Sequence, residues 1–414
     1  MKQDNFKVYG YRWIVLVAFM FIVAITQLVW ITFAPITGEA AKFYGVSDLS
    51  IGLLSMSFMI VYIIVSIPAS WVIDTYGIRV GVGIGAVLTA IFGLLRGVWA
   101  TNYTLVLIAQ IGVAIGQPFV LNAVTTVAAR WFPVRERATA SGLGSLAMYL
   151  GIFLGLAITP YLTIHFQIHG MLIAYGIASL VAALIFLGFA RERPATPPCP
   201  PGMEVRSLVF DGFKQMLRQK NFILLLVIFF IGLGTFNAVT TWIEDIVRPN
   251  GFSSTQAGTI GGLMIVGGIL GALVIPTLSD RYRKRTTFIM VALVGATLGL
   301  AGVAYATSYW LLIVAAFVMG FFLLSAGPIG FQYGAEITYP TPEGTSNGIL
   351  ILMGQISGIA FIFAMDSFKS PVTGSMTPSL VVLIVLMVLS LVLSFFLKEP
   401  KTLLTESVKP VDAA

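Results

Sequence analysis

Gln27, Trp30, Gln117, Asn237, Thr240 and Gln355 are hydrogen-bonding side chains set inside long apolar runs. A primary amide both donates and accepts, so Gln117 and Gln355 can orient a hydroxyl or amine. The face of an indole attracts a cation, which gives Trp30 a means of holding an ammonium head without a carboxylate. No Asp or Glu lies in the middle of an apolar run. Glu39, Glu244, Asp245 and Asp366 fall near one set of run ends, and Asp74, Asp280, Glu336 and Glu343 near the other. No nucleophile–base pair and no cluster of metal ligands is present, so the pattern is not that of an enzyme and calls for no cofactor or metal. His165 and His169 share one short connection, and Cys199 is the single cysteine, which excludes an internal disulfide.

The elements that must carry these residues are membrane helices. The chain of 414 residues is 58% hydrophobic and 10% charged, with a mean hydropathy of +0.96. A water-soluble protein of this size could not bury so much apolar surface. A crossing helix needs about 20 apolar residues. Runs of that kind occupy 13–36, 48–72, 79–99, 103–129, 138–162 and 170–190, which we number spans 1 to 6. Spans 7 to 12 occupy 221–243, 255–278, 286–306, 309–333, 345–367 and 377–397. The first run is too long for the apolar core of a cleaved signal and lacks a small-residue cleavage site.

The net charge of +7 does not point to nucleic acid, because its placement follows the spans. With twelve crossings and a cytoplasmic N-terminus, every Lys and Arg except Lys42, Arg96, Arg248 and Lys369 falls inside. This is the positive-inside pattern, and it predicts a multi-pass protein of the inner (plasma) membrane with both termini cytoplasmic. Arg96 lies about a turn from the outer end of span 3, from which its long side chain is expected to snorkel out.

The chain repeats itself. Asp74-Thr75-Tyr76-Gly77-Ile78-Arg79 follows span 2, and Asp280-Arg281-Tyr282-Arg283-Lys284-Arg285 follows span 8, at an offset of 206 residues. Phe132-Pro133 after span 4 recurs as Tyr339-Pro340 after span 10, at an offset of 207. Such a repeat implies two parallel six-helix halves, with a solute site between them and alternating access. The expected organisation is a bundle over 1–190, a linker over 191–220, a second bundle over 221–398 and a tail over 399–414. Within the linker, prolines 197, 198, 200 and 201 stiffen the chain. Leu208, Val209, Phe213, Met216 and Leu217 then recur at the spacing of an amphipathic surface helix. At the cytoplasmic ends, Asp74, Arg79, Arg130, Asp280 and Arg285 are expected to gate, with Asp74 accepting hydrogen bonds from a neighbouring helix N-terminus or from Arg130. Asn122 reads as structural.

The segment Pro68 through Arg79 resembles the loop signature of the major facilitator superfamily, and Gly271 through Arg285 is similar to its weaker second copy. Several further segments resemble the feline leukaemia virus subgroup C receptor family. These are Trp30 through Val46, Gln117 with Phe119-Val120-Leu121, and Tyr339-Pro340 through Gly354-Gln355. The resemblance implies an all-α fold of twelve helices in two pseudo-symmetric bundles. It also implies transport of choline, ethanolamine or haem. That family's choline site uses a tryptophan on span 1 and glutamines on spans 4 and 11, which fall on Trp30, Gln117 and Gln355. The chain departs from the family at span 7, where Phe236, Asn237 and Thr240 stand in place of further aromatics.

The expected function is therefore movement of a small organic cation, choline-like, by facilitated diffusion through a monomer in the bilayer. Carriage of a carboxylate, a drug-like amphiphile or haem, and a transport-inactive receptor, are the alternatives. A carboxylate would want a central cation, and haem an axial ligand that His165 and His169 are poorly placed to give.

Overall fold

The structure, a computed structural model, describes residues 8–133, 136–196, 216–339 and 343–400. The chain forms two compact units, Met1–Ser207 and Leu208–Ala414. Cys199, the linker prolines and most of the amphipathic linker segment lie outside the described residues, as do Arg135, Pro340 and the chain from residue 401.

Eleven described helical stretches are long and apolar enough to cross a membrane. The longest, Arg137–Phe189, has 53 residues and holds spans 5 and 6, separated at Gln167 where φ is 58° and ψ is 176°. Twelve spans result. Span 2 is Asp48–Tyr76, span 3 Ile78–Val98, span 8 Ser254–Tyr282, span 9 Arg285–Tyr305, span 10 Tyr309–Thr338, span 11 Glu343–Ser367 and span 12 Thr377–Ser394. Three of the starts carry polar side-chain caps. Ser47 accepts from the N–H of Ser50 at 3.2 Å, Asn102 accepts from that of Leu105 at 3.1 Å, and Ser253 with Gln256 forms a capping box.

Three spans are interrupted. Span 1 is helical over Arg12–Ile31, then a short 3₁₀ turn over Ala34–Ile36, then helical again over Thr37–Tyr44. Pro35 is the local cause, because it has no N–H to give the carbonyl of Ile31 and its ring crowds that carbonyl. Span 4 breaks after Tyr103–Leu121 and resumes over Val124–Trp131. Span 7 runs Lys220–Thr241 and resumes over Ile243–Val247 after Trp242.

With lipid outside, helices hold together by close packing. On span 10, a Cβ at Gly320 would strike the carbonyl of Met264 on span 8, and one at Gly271 would strike that of Phe321. Asn122 joins span 4 to span 2: it accepts from the Tyr62 hydroxyl at 2.7 Å and donates to the hydroxyls of Ser66 and Ser70 at 3.0 and 2.9 Å.

Candidate solute and gating sites

Trp30 is 6% exposed, and its indole N–H donates to the carbonyl of Ser55 on span 2 at 3.2 Å. Its hydrogen bond is thus spent within its own bundle. Gln27, one turn earlier, and Gln117, beside Pro118 on span 4, are both buried. Gln355 on span 11 is half-buried. None of these three glutamine side chains makes a hydrogen bond within the described residues. That differs from the usual structural part of an intramembrane glutamine, which is to bridge two helices.

Span 7 is used differently. Asn237 donates to the carbonyl of Gly354 on span 11 at 3.1 Å, so it fixes the residue next to Gln355. Thr240 is fully buried, and its hydroxyl has no hydrogen-bond partner. Trp242, also fully buried, donates to the carbonyl of Ile362 at 3.1 Å across the same helix pair. Beyond it, Arg248 pairs with Glu244 at 2.9 Å and with the fully buried Asp245, which Lys369 reaches at 3.4 Å.

Arg96 corrects an expectation. It does not snorkel: it is fully buried. Its guanidinium donates to the carbonyl of Val29 at 3.1 Å, the side-chain oxygen of Gln110 at 2.7 Å and the hydroxyl of Thr32 at 3.3 Å. Packing against span 1 offers these acceptors inside the bundle, so the side chain need not reach an interface.

At the charged ends the sequence reading missed two carboxylates. Glu192 accepts from the backbone N–H of Ile78 at 3.2 Å and of Arg79 at 2.9 Å, and it pairs with Arg130. Glu399 accepts from the N–H of Arg285 at 3.0 Å and of Thr286 at 2.9 Å. Each carboxylate sits on the positive N-terminus of span 3 or span 9. The two are 207 residues apart, an offset already visible in the loops, and that repetition was the signal that could have found them. Gly77 makes the first contact possible: its φ is 96°, and a Cβ there would collide with the Glu192 carboxylate. Its counterpart, Arg283, is also left-handed at φ 52°.

Asp74 and Arg79 are exposed, and the described contact of Arg79 is through its backbone. In the second bundle, Asp280 pairs with Arg285, which also meets Glu336 of span 10 at 3.0 Å. The structure thus brings Asp280 and Arg285 together and ties Arg130 to Glu192.

Residues 9–362 match the family model of the Major Facilitator Superfamily. The chain belongs to this superfamily. Among curated proteins, this major facilitator is 30% identical over 382 residues to solute carrier family 49 member A3 of Danio rerio, covering 89% of this chain and 80% of that one. It is 26% identical over 383 residues to the choline/ethanolamine transporter FLVCR2 of Homo sapiens, covering 86% of this chain and 71% of the relative. Two solved structures share its fold. One is a bacterial homologue of the human lysosomal transporter Spinster, with a TM-score of 0.75 at 17% identity, covering 98% of this chain and 100% of that one. The other is a D-xylose–proton symporter, with a TM-score of 0.76 at 15% identity, covering 95% and 99%. This major facilitator is an integral membrane transporter, with the twelve-helix fold of its superfamily.

Proposed function

We propose that this transporter carries a small organic cation of the choline type, by alternating access and without a coupling ion. The observation that carries the reading is that Gln27 and Gln117, on buried positions, and the half-buried Gln355 make no side-chain hydrogen bond among the described residues, while their amide atoms are not sealed off, so they stay open to a solute. A solute bearing a hydroxyl would satisfy them as it passes. Trp30 offers its ring to the ammonium. Asn237 holds Gln355 in place through Gly354, and Thr240 adds a donor. The relatives named as choline/ethanolamine transporters agree with this chemistry.

The absence of an acid from mid-span positions supports facilitated diffusion, since a proton-coupled carrier needs an ionisable group in its path. A carboxylate solute would need a free cation. Arg96 instead gives hydrogen bonds to span 1 and Gln110. The charge distribution supports a plasma-membrane protein with both termini inside, working as a monomer. The gate in this reading consists of Asp74, Arg79 and Arg130 in one bundle and Asp280 and Arg285 in the other. Their contacts must break and reform as the bundles rock.

The test is choline uptake into proteoliposomes. The wild type should bring choline to the equilibrium set by its own gradient and the membrane potential, with no dependence on an imposed proton or sodium gradient. Trp30→Ala should abolish uptake, and Trp30→Phe should retain part of it. Normal uptake by Trp30→Ala would overturn the cation–π site.

A further inference from the structure

The break in span 1 creates a problem that the rest of the first bundle must solve. When an α-helix stops inside a membrane, its last carbonyls lose their amide partners, and lipid supplies none. The helix Arg12–Ile31 stops one residue after Trp30. Thr32 answers part of the need by directing its hydroxyl at the carbonyls of Leu28 and Val29, both at 3.0 Å. Arg96 adds a second donor to the Val29 carbonyl from span 3. Its donors reach the Val29 carbonyl and the Thr32 hydroxyl, while its planar group lies 5.8 Å from the centre of the Phe33 ring. These contacts fall on four residues, Leu28, Val29, Thr32 and Phe33, that flank Trp30 and the break.

No carboxylate lies within ion-pair distance of Arg96 among the described residues. A buried cation without a counter-ion is expensive. Here the negative end of the span 1 helix dipole takes that part, and the Phe33 ring adds to it. Gln110 on span 4 anchors the guanidinium from the other side at 2.7 Å. Among the described residues the second bundle shows no such device. Position 302, at the same offset from Arg96 as Asp280 is from Asp74, is a glycine, and the break in span 7 is held by Trp242.

We propose that Arg96 is a positioning residue for Trp30: it caps the broken helix immediately behind the indole and so fixes the angle at which the ring meets the solute. The inference rests on the reading of Trp30 as a solute contact. The fork geometry of arginine is essential, because three acceptors on two elements must be held at once. A lysine keeps the charge but offers a single point donor.

Two measurements on detergent-purified full-length protein test this. The first is choline affinity by thermal shift. Arg96→Lys should bind choline about tenfold more weakly than wild type, the loss expected when a planar fork becomes a point charge. The second is amide hydrogen exchange, which needs no solute. Exchange should quicken in peptides spanning 28–37 and stay at the wild-type rate in spans 2 and 5. Unchanged affinity, or faster exchange spread evenly over the bundle, overturns the proposal. If Arg96→Lys does not fold, Gln110→Leu removes the anchor more gently and should show the same local exchange; no local change overturns the proposal. If the wild type itself fails to bind choline, the solute reading falls, and exchange alone decides whether Arg96 holds the break.

Discussion

Glu192 accepts the backbone N–H of Arg79 at 2.9 Å, closing the first bundle's charged end over the N-terminus of span 3. Glu399 repeats the contact on Thr286 at 2.9 Å in the second bundle. A carboxylate there is favoured by the helix dipole and by two orphan amides. Glu192→Gln keeps the shape but removes the charge. In our reading such contacts break during transport, so the variant should alter uptake rate by several-fold while leaving choline affinity within about twofold of wild type. An equal loss in affinity would show that Glu192 shapes the solute site instead of the gate. The double variant with Glu399→Gln should change rate further.

Asn237 makes one interhelical hydrogen bond, to Gly354, and such bonds in membranes are worth roughly 1 kcal/mol. Asn237→Ala should lower the apparent melting temperature by a few degrees at most. Because Gly354 precedes Gln355, it should also raise the KM for choline several-fold. A variant with lowered stability but unaltered KM would separate Asn237 from the solute.

Gln167 sits at φ 58° and ψ 176° between spans 5 and 6, a region essentially reserved for glycine, at a cost of about 1–3 kcal/mol. Gln167→Gly should relieve this strain, raise the melting temperature in detergent and leave uptake unchanged. A lower melting temperature would mean that the Gln167 side chain contributes more than its backbone costs.

Gly320 and Gly327 lie on the same helix and should respond oppositely to alanine. A Cβ at Gly320 strikes the carbonyl of Met264, while nothing lies within 4 Å of one at Gly327. Gly320→Ala should destabilise the second bundle by about 1–3 kcal/mol, as overpacking does. Gly327→Ala should be neutral or slightly stabilising, since alanine is the better helix former. Equal effects at the two positions would refute the packing of span 10 on span 8.

The twelve crossings, the duplicated halves and the family were legible in the chain alone. Hydropathy is a property of consecutive residues, and a bilayer tests it span by span. The superfamily loop at Asp74 through Arg79 and its copy at Asp280 through Arg285 likewise need no partner to be recognised. Trp30, Gln117 and Gln355 could be picked out as unusual by the same means, because a polar group in an apolar run stands out locally.

What those residues touch was decided only by packing. Whether a buried glutamine is a bridge or an unoccupied amide depends on which helix lies opposite, and hydropathy carries no record of neighbours. Glu192 meets Ile78 from 114 positions away, and Arg96 meets Val29 from 67. Along the chain, Glu192 looked like the start of a linker and Arg96 like a surface charge near a span end. Only the folded bundle brings the broken end of span 1 to one and the bare start of span 3 to the other, where a charge is held by the backbone groups that a helix leaves unpaired.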